Sequence, residues 1–474
     1  MYISPAPSGK GWSVPAPAQN TCAGARAPAS TATAHISAHH PASAGQTIGQ
    51  TANIGQTNST QRLASATVQN ELDSRQRDQD QPHPSKPAIK PANPRFSSGP
   101  CAKHPGWKLD NLGTANLGRS HRASEPRARL LSAIERCKQL MQLPEDWVLG
   151  IVPGSDTGAF EMAMWSLLGS RGVDVLVWES FSADWAKDIE ALGIAPLNVL
   201  DAPYGELPDL QKISPDNDLV MVANGTTSGV RLPDFNFIEQ NRNGLTLCDA
   251  TSAVFAQALD YSRLDVVTWS WQKVLGGEAA HGMLALSPRA VARLEQPAPR
   301  ALPKLFRLAE NGKLNSGIFK GATINTPGML AVEDLHSALD WAEQLGGCQA
   351  LIDRAESNFR VIDEWIGRTA WIDWLAKDPA TLSRTSMCLQ ISAPVFTNLD
   401  NAEQASVLKS LLQKLEQQQV AYDIANYRSA PTGFRIWGGA TIESADLQCL
   451  TQWLDWAYHD WENSQKAKTT GEAS

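Results

Sequence analysis

From about residue 88, apolar residues fall into short runs separated by stretches with helical spacing. The first periodic stretch predicts a helix from Ser124 to about Gln142. Leu130, Ile134, Cys137 and Met141 share one face of it, Ser124 is placed to cap it, and Pro126 suits its first turn. The runs Val148–Val152, Val173–Trp178, Leu219–Ala223, Leu245–Cys248, Val266–Trp269 and Met283–Leu286 read as strands. Ala159–Leu168 and Trp185–Leu192 read as helices between them. Such alternation predicts an α/β fold with a mostly parallel central sheet. After about Ala331 the pattern turns helix-rich, with Val332–Leu345 and Ala350–Trp365. A strand follows near Cys388–Ser392, and a last helix near Ala445–Trp461. That shift predicts a second, smaller domain. Trp453 and Trp456, two of sixteen tryptophans, share a helix face and read as core packing.

Residues 1–85 break this pattern. They are rich in Ala, Ser, Thr, Gln and Pro, and no acidic residue precedes Glu71. Too little apolar surface is available there to offset the entropy of ordering, so disorder is expected. An acid-poor, Ser-rich leader also resembles an organellar transit peptide. Against that, Lys10 and Arg26 are the fixed cations of the first 60 residues. An over-extended start is the other reading, although the next methionine after Met1 is Met141, inside the fold.

The formal net charge of -8 and the lack of a basic run argue against a nucleic-acid partner. No run of 18 apolar residues suggests a membrane-spanning helix. Seven scattered cysteines without a CxxC pair suggest neither a disulfide framework nor a metal site. A reducing, cytoplasmic setting is therefore expected, or an organellar one if the leader is a transit peptide.

Chemistry enters with two residues. Asp249 ends the apolar run Leu245–Cys248, so it lies at the carboxyl edge of the sheet, where open α/β sheets bind ligands. Lys273 follows the next strand, before Val274-Leu275-Gly276-Gly277. A carboxylate and an amine at one sheet edge suit pyridoxal phosphate: the amine takes its aldehyde, and the carboxylate holds its ring nitrogen protonated. The spacing alone also fits an ordinary solvated lysine. Gly154-Ser155-Asp156-Thr157-Gly158 joins a strand to a helix, and helix N-terminal amides bind anions, although a plain N-cap has the same pattern. Asp156 suits a phosphate site only if its side chain points away. Asn224-Gly225-Thr226 is either a cofactor contact or a Gly-rich turn.

Several runs occur in an order that resembles the phosphoserine aminotransferases. They are Pro94-Arg95-Phe96-Ser97-Ser98-Gly99-Pro100, Ser120-His121-Arg122, Asn224-Gly225-Thr226, Gln272-Lys273, Asn325-Thr326-Pro327 and Arg435. The run from Gln272 to Met283 is the most specific, and the likeness spans roughly residues 88–462. The resemblance implies a fold-type-I, pyridoxal-phosphate-dependent enzyme acting as a homodimer with shared active sites. Its domains would be a disordered extension over 1–85, a segment over 86–117 joining the small domain, a large domain over 118–345, a small α+β domain over 346–465 and a disordered tail over 466–474. The implied reaction passes an amino group between glutamate and 3-phosphohydroxypyruvate, giving O-phosphoserine and 2-oxoglutarate. Phosphohydroxythreonine, of vitamin B6 biosynthesis, is an implied further substrate.

Residue roles follow from the same resemblance. Lys273 is the Schiff-base lysine and proton shuttle, Asp249 the partner of the ring nitrogen, Phe181 the stacked aromatic and Thr226 the ring-oxygen contact. Gln272 and the amides of Ser155 and Asp156 hold the cofactor phosphate, joined by Asn325 and Thr326 from the partner subunit. Arg435 binds the substrate carboxylate, and His121 with Arg122 its phosphate. One departure stands out: where many relatives have an arginine in the phosphate loop, this chain has Ser155-Asp156-Thr157. Arg119 or Lys320 is the expected second cation. The rival readings are an alanine–glyoxylate-type aminotransferase, a desulfurase, or a regulator that binds the cofactor without turnover.

Overall fold

The computed structural model of the chain describes residues 84–471. The disorder expected over 1–83 and 472–474 lies outside the described residues.

Seven strands form the central sheet: β1 (Val148–Pro153), β2 (Val173–Val177), β3 (Leu197–Asp201), β4 (Asp218–Val222), β5 (Thr246–Asp249), β6 (Val266–Ser270) and β7 (His281–Leu286). Their order is β1-β7-β6-β5-β4-β2-β3. From β6 through β3 the neighbours run parallel, while β7 lies antiparallel between β1 and β6. Strands β4 to β7 are buried throughout, as expected of strands covered on both faces, and this explains why they read as unbroken apolar runs. Strand β3 escapes that reading. It is the sheet edge, and Asn198, Val199 and Asp201 are exposed.

Helices α1 (Ser124–Met141), α2 (Ser155–Leu167), α3 (Ser180–Ala191) and α4 (Pro288–Leu294) belong to this part of the chain. In α1 the predicted face is buried: Leu130, Ile134, Cys137 and Met141 are each at most 4% exposed. The expected cap is corrected. Ala123 occupies the N-cap, Ser124 is the first helical residue, and no side chain caps the helix. Pro126 falls in the first turn, where its missing N–H costs nothing.

The later part holds α5 (Met329–Leu345), α6 (Cys348–Ile366), α7 (Asn401–Gln417), α8 (Ser444–Gly471) and a three-stranded antiparallel sheet. That sheet contains β8 (Ile372–Trp374), β9 (Ser386–Ile391) and β10 (Phe434–Trp437). Helix α8 runs on through Gly471, so the tail expected from 466 is helical as far as that residue. Trp453 is buried against Trp456 at 5.3 Å, in agreement with core packing.

The segment after residue 86 is tied to this later part. The Ala92 amide donates to Asp446, the Tyr422 amide to the Pro94 carbonyl and the Trp437 amide to the Phe96 carbonyl. It then crosses to the large sheet, where the Cys101 amide donates to the Gln272 carbonyl. The chain thus brings Ser98 and Gly99 to Lys273 and Arg435 to the same cleft.

Candidate active site

Strands β5 and β6 are parallel neighbours, with Asp249 in register with Thr268. Asp249 closes β5, and Lys273 lies three residues beyond the end of β6. Asp249 is 8% exposed, and both its oxygens are engaged. Oδ1 accepts the Thr251 amide at 3.0 Å, and Oδ2 accepts the Trp185 indole N–H at 3.2 Å. Trp185 comes from α3 and packs on Phe160 of α2, so three elements fix the direction of this carboxylate. The tryptophan pattern alone gave no sign of this role.

The Lys273 amine donates to the Ser98 carbonyl. Burial in the cleft, and then the positive charge of Arg435, push its pKa down. The charge of Asp249 acts on it in the opposite sense, which places both groups in one electrostatic neighbourhood. A more readily deprotonated amine is what a nucleophilic lysine needs. Gly99 is required beside it. Its φ is +154°, and a Cβ there would lie 2.5 Å from Lys273 Nζ.

The Gly154–Gly158 turn does join β1 to α2, through Gly154 at φ +84° and Ser155 at φ +58°. A Cβ on Gly158 would sit 2.1 Å from the Pro153 carbonyl oxygen, so only glycine lets the helix start so close to the strand. The Ser155 amide donates to the Ala280 carbonyl at 3.3 Å, and the Gly158 amide to Gly154 at 2.9 Å. First-turn amides have no intrahelical acceptor, which leaves those of Asp156 and Thr157 to face an anion. The Ser155 hydroxyl accepts from Gln272 Nε2 at 3.2 Å. The Asp156 side chain is buried, 5% exposed.

Thr226 is buried, and its hydroxyl meets that of Ser252. Phe181 lies in the first turn of α3, with its ring 5.6 Å from Tyr427. Around Tyr427 gather two guanidinium groups, Arg428 at 5.7 Å and Arg435 at 5.8 Å. Arg435 projects from β10, and its Nε is buried without a partner.

His121 is buried with Nε2 unpartnered, and the Arg122 amide donates to the Ser120 hydroxyl. The structure does not tie this pair to Lys273 by any hydrogen bond or ion pair among the described residues. Asn325 and Thr326 are exposed, and their polar contacts stay within residues 323–326. Of the expected second cations, Arg119 is paired with Glu125, and Lys320 is exposed. Arg428, also exposed, lies 5.7 Å from the Tyr427 ring that Arg435 approaches as well. The run Tyr427-Arg428-Ser429, shortly before Arg435, was the signal that could have found it.

The chain is 53% identical to a phosphoserine aminotransferase of Methanosarcina barkeri over 376 residues, spanning 79% of this chain and 99% of that one. A solved phosphoserine aminotransferase from Trichomonas vaginalis, with pyridoxal phosphate bound, superposes with a TM-score of 0.63. It covers 76% of this chain and 99% of its own at 18% identity. An alanine–glyoxylate aminotransferase from Nostoc sp. superposes as well, at TM-score 0.65 and 16% identity, over 79% of this chain and 97% of its own. These two likenesses therefore establish the shared fold alone. No family model matches the chain.

Proposed function

The chain belongs to the phosphoserine aminotransferase family, and on that premise we propose that Lys273 and Asp249 work on one pyridoxal phosphate to exchange an amino group between glutamate and 3-phosphohydroxypyruvate. The chain is a pyridoxal-phosphate-dependent transaminase. The observation that carries the site assignment is the joining of Asp249, Lys273, Arg435 and the α2 N-terminus at one sheet edge.

The residues fit the cofactor. An oriented carboxylate suits the ring nitrogen, an amine suits the aldehyde, and the first-turn amides of α2 with Gly158 form an anion cradle. Ser155, Gln272 and Thr226 line the space between. When bound, the cofactor supplies an electron sink that acidifies the substrate α-carbon. Lys273 Nζ, with its depressed pKa, would take the α-proton of the amino donor and, in the reverse half-reaction, deliver a proton to the α-carbon of the acceptor from the same side, a general acid–base role. Arg435, with a free buried Nε, presents a planar fork to the substrate carboxylate. Arg428, which approaches the same Tyr427 ring, is the proposed further cation for the substrate phosphate, with His121 and Arg122 as the other donors. We assign Phe181, whose ring lies 5.6 Å from that of Tyr427, to cover the cofactor ring.

We propose a homodimer, because Asn325 and Thr326 are turned to solvent and are free to reach a second copy's phosphate site. A cytoplasmic setting is proposed with it, supported by six free cysteines among the described residues.

The test is a comparison of acceptors with glutamate as donor. The expected result is a kcat/KM for 3-phosphohydroxypyruvate at least about a hundredfold above that for glyoxylate, the discrimination available when buried polar donors would otherwise stay unpaired. Equal values, or a preference for glyoxylate with alanine as donor, would overturn the substrate assignment.

A further inference from the structure

Asp156 has no evident reason to be acidic if the turn only binds phosphate. Its side chain is turned into the protein under the ends of β5 and β6, and its Oδ1 is buried without a partner. The group it meets there is the carboxyl of Asp249. The other groups around it are the hydroxyls of Thr251 and Thr268 and the thiol of Cys248, all neutral. The Lys273 amine and the Asp249 carboxylate are the charges that act on this pocket from β6 and β5, and Glu179 acts on Asp249 from the N-cap of α3. Asp249 has N–H donors on both oxygens, from Thr251 and Trp185, whereas the hydrogen-bonding neighbours of Asp156 are the hydroxyls of Thr251 and Thr268, and its Oδ1 has no partner. Two carboxyls that meet in a buried pocket cannot both ionise, and the one among hydroxyls, which can turn to accept, keeps the proton, while the one held by N–H donors stays the acceptor.

We propose that Asp156 is a positioning residue of the cofactor site: held as the neutral acid, it donates a hydrogen bond to Asp249 and so fixes that carboxylate as the acceptor for the cofactor's ring nitrogen. The proposal rests on the pyridoxal phosphate reading. It explains an acid at a turn that faces a phosphate, because the neutral form adds no negative charge near the anion. Burial first, and then the Asp249 charge, push the Asp156 pKa well above the usual carboxylate range, in the direction this arrangement requires.

The experiment compares wild type, D156N and D156A as full-length proteins loaded with pyridoxal phosphate. Infrared spectra are recorded at pH 7 with and without carboxyl-labelled aspartate. The expected wild-type spectrum contains the stretch of a buried protonated carboxyl that shifts with the label and is missing from D156N. Asparagine keeps the shape and the donor, so cofactor affinity in D156N stays within about twofold of wild type. D156A loses the donor and weakens cofactor binding by about tenfold, the worth of one hydrogen bond to a charged group. A wild-type spectrum without the protonated band would overturn the proposal, as would D156N binding as weakly as D156A. Should wild type bind no cofactor at all, the pyridoxal phosphate reading falls, and the infrared band still reports the proton separately.

Discussion

Glu179 offers a quantitative test of how the site is built. It caps α3 just before Phe181 and is 3% exposed. Its carboxylate accepts the Ser182 amide at 2.7 Å, and the Thr227 hydroxyl and amide at 2.9 and 3.3 Å. Those bonds tie the helix that carries Phe181 and Trp185 to the turn that carries Thr226. They lower the pKa, yet burial outweighs them and pushes it from 4.5 up to about 7. An acid whose folded-state pKa is raised holds its proton longer in the native state. Its contribution is therefore fully present below pH 4.5 and is lost as the pH rises through about 7. The difference corresponds to about 3 kcal/mol. E179Q keeps an accepting oxygen and cannot ionise. Urea unfolding of wild type and E179Q, followed by tryptophan fluorescence from pH 4.5 to 8, isolates the effect. The stability of wild type relative to E179Q should fall by about 3 kcal/mol across that window. Parallel curves for the two proteins would refute the reasoning.

Two further outcomes follow from the geometry. R435K keeps a charge but loses the fork, so kcat/KM for glutamate should drop by about 30-fold or more, the worth of a charge-assisted bond, with thermal stability little changed. His281 is stacked on Trp271 at 4.5 Å and accepts the Gly328 amide through Nε2 at 3.1 Å. Burial pushes its pKa from 6.5 down to about 4, so its contribution is present above pH 6.5 and is lost as the pH falls through about 4. Thermal melts should show H281Q losing less stability than wild type between pH 7 and pH 4.5.

The sequence made the centre of the sheet legible because β4 to β7 are buried on both faces. Wherever burial is one-sided or brief, the pattern fades. Strand β3 exposes most of its residues, β8 and β10 are three and four residues long, and α7 buries only Leu408, Leu411 and Leu415. Helix α7 nonetheless carried a readable signature, Asp400 and Glu403 forming a capping box. Asp249 and Lys273 were visible because each directly follows an apolar run. Trp185 and Glu179 were not, because their roles depend on which elements pack together. The indole of Trp185 meets Asp249 across 64 positions of sequence. The inward turn of Asp156 had the same cause: only the packing of α2 under β5 and β6 decides where that carboxyl points.

The central claim is that Lys273 is the amine that takes the cofactor. The most direct measurement is borohydride reduction of the protein loaded with pyridoxal phosphate, followed by peptide mass mapping. The account predicts a single pyridoxyl adduct, on Lys273. An adduct on another lysine, with Lys273 recovered unmodified, would contradict it.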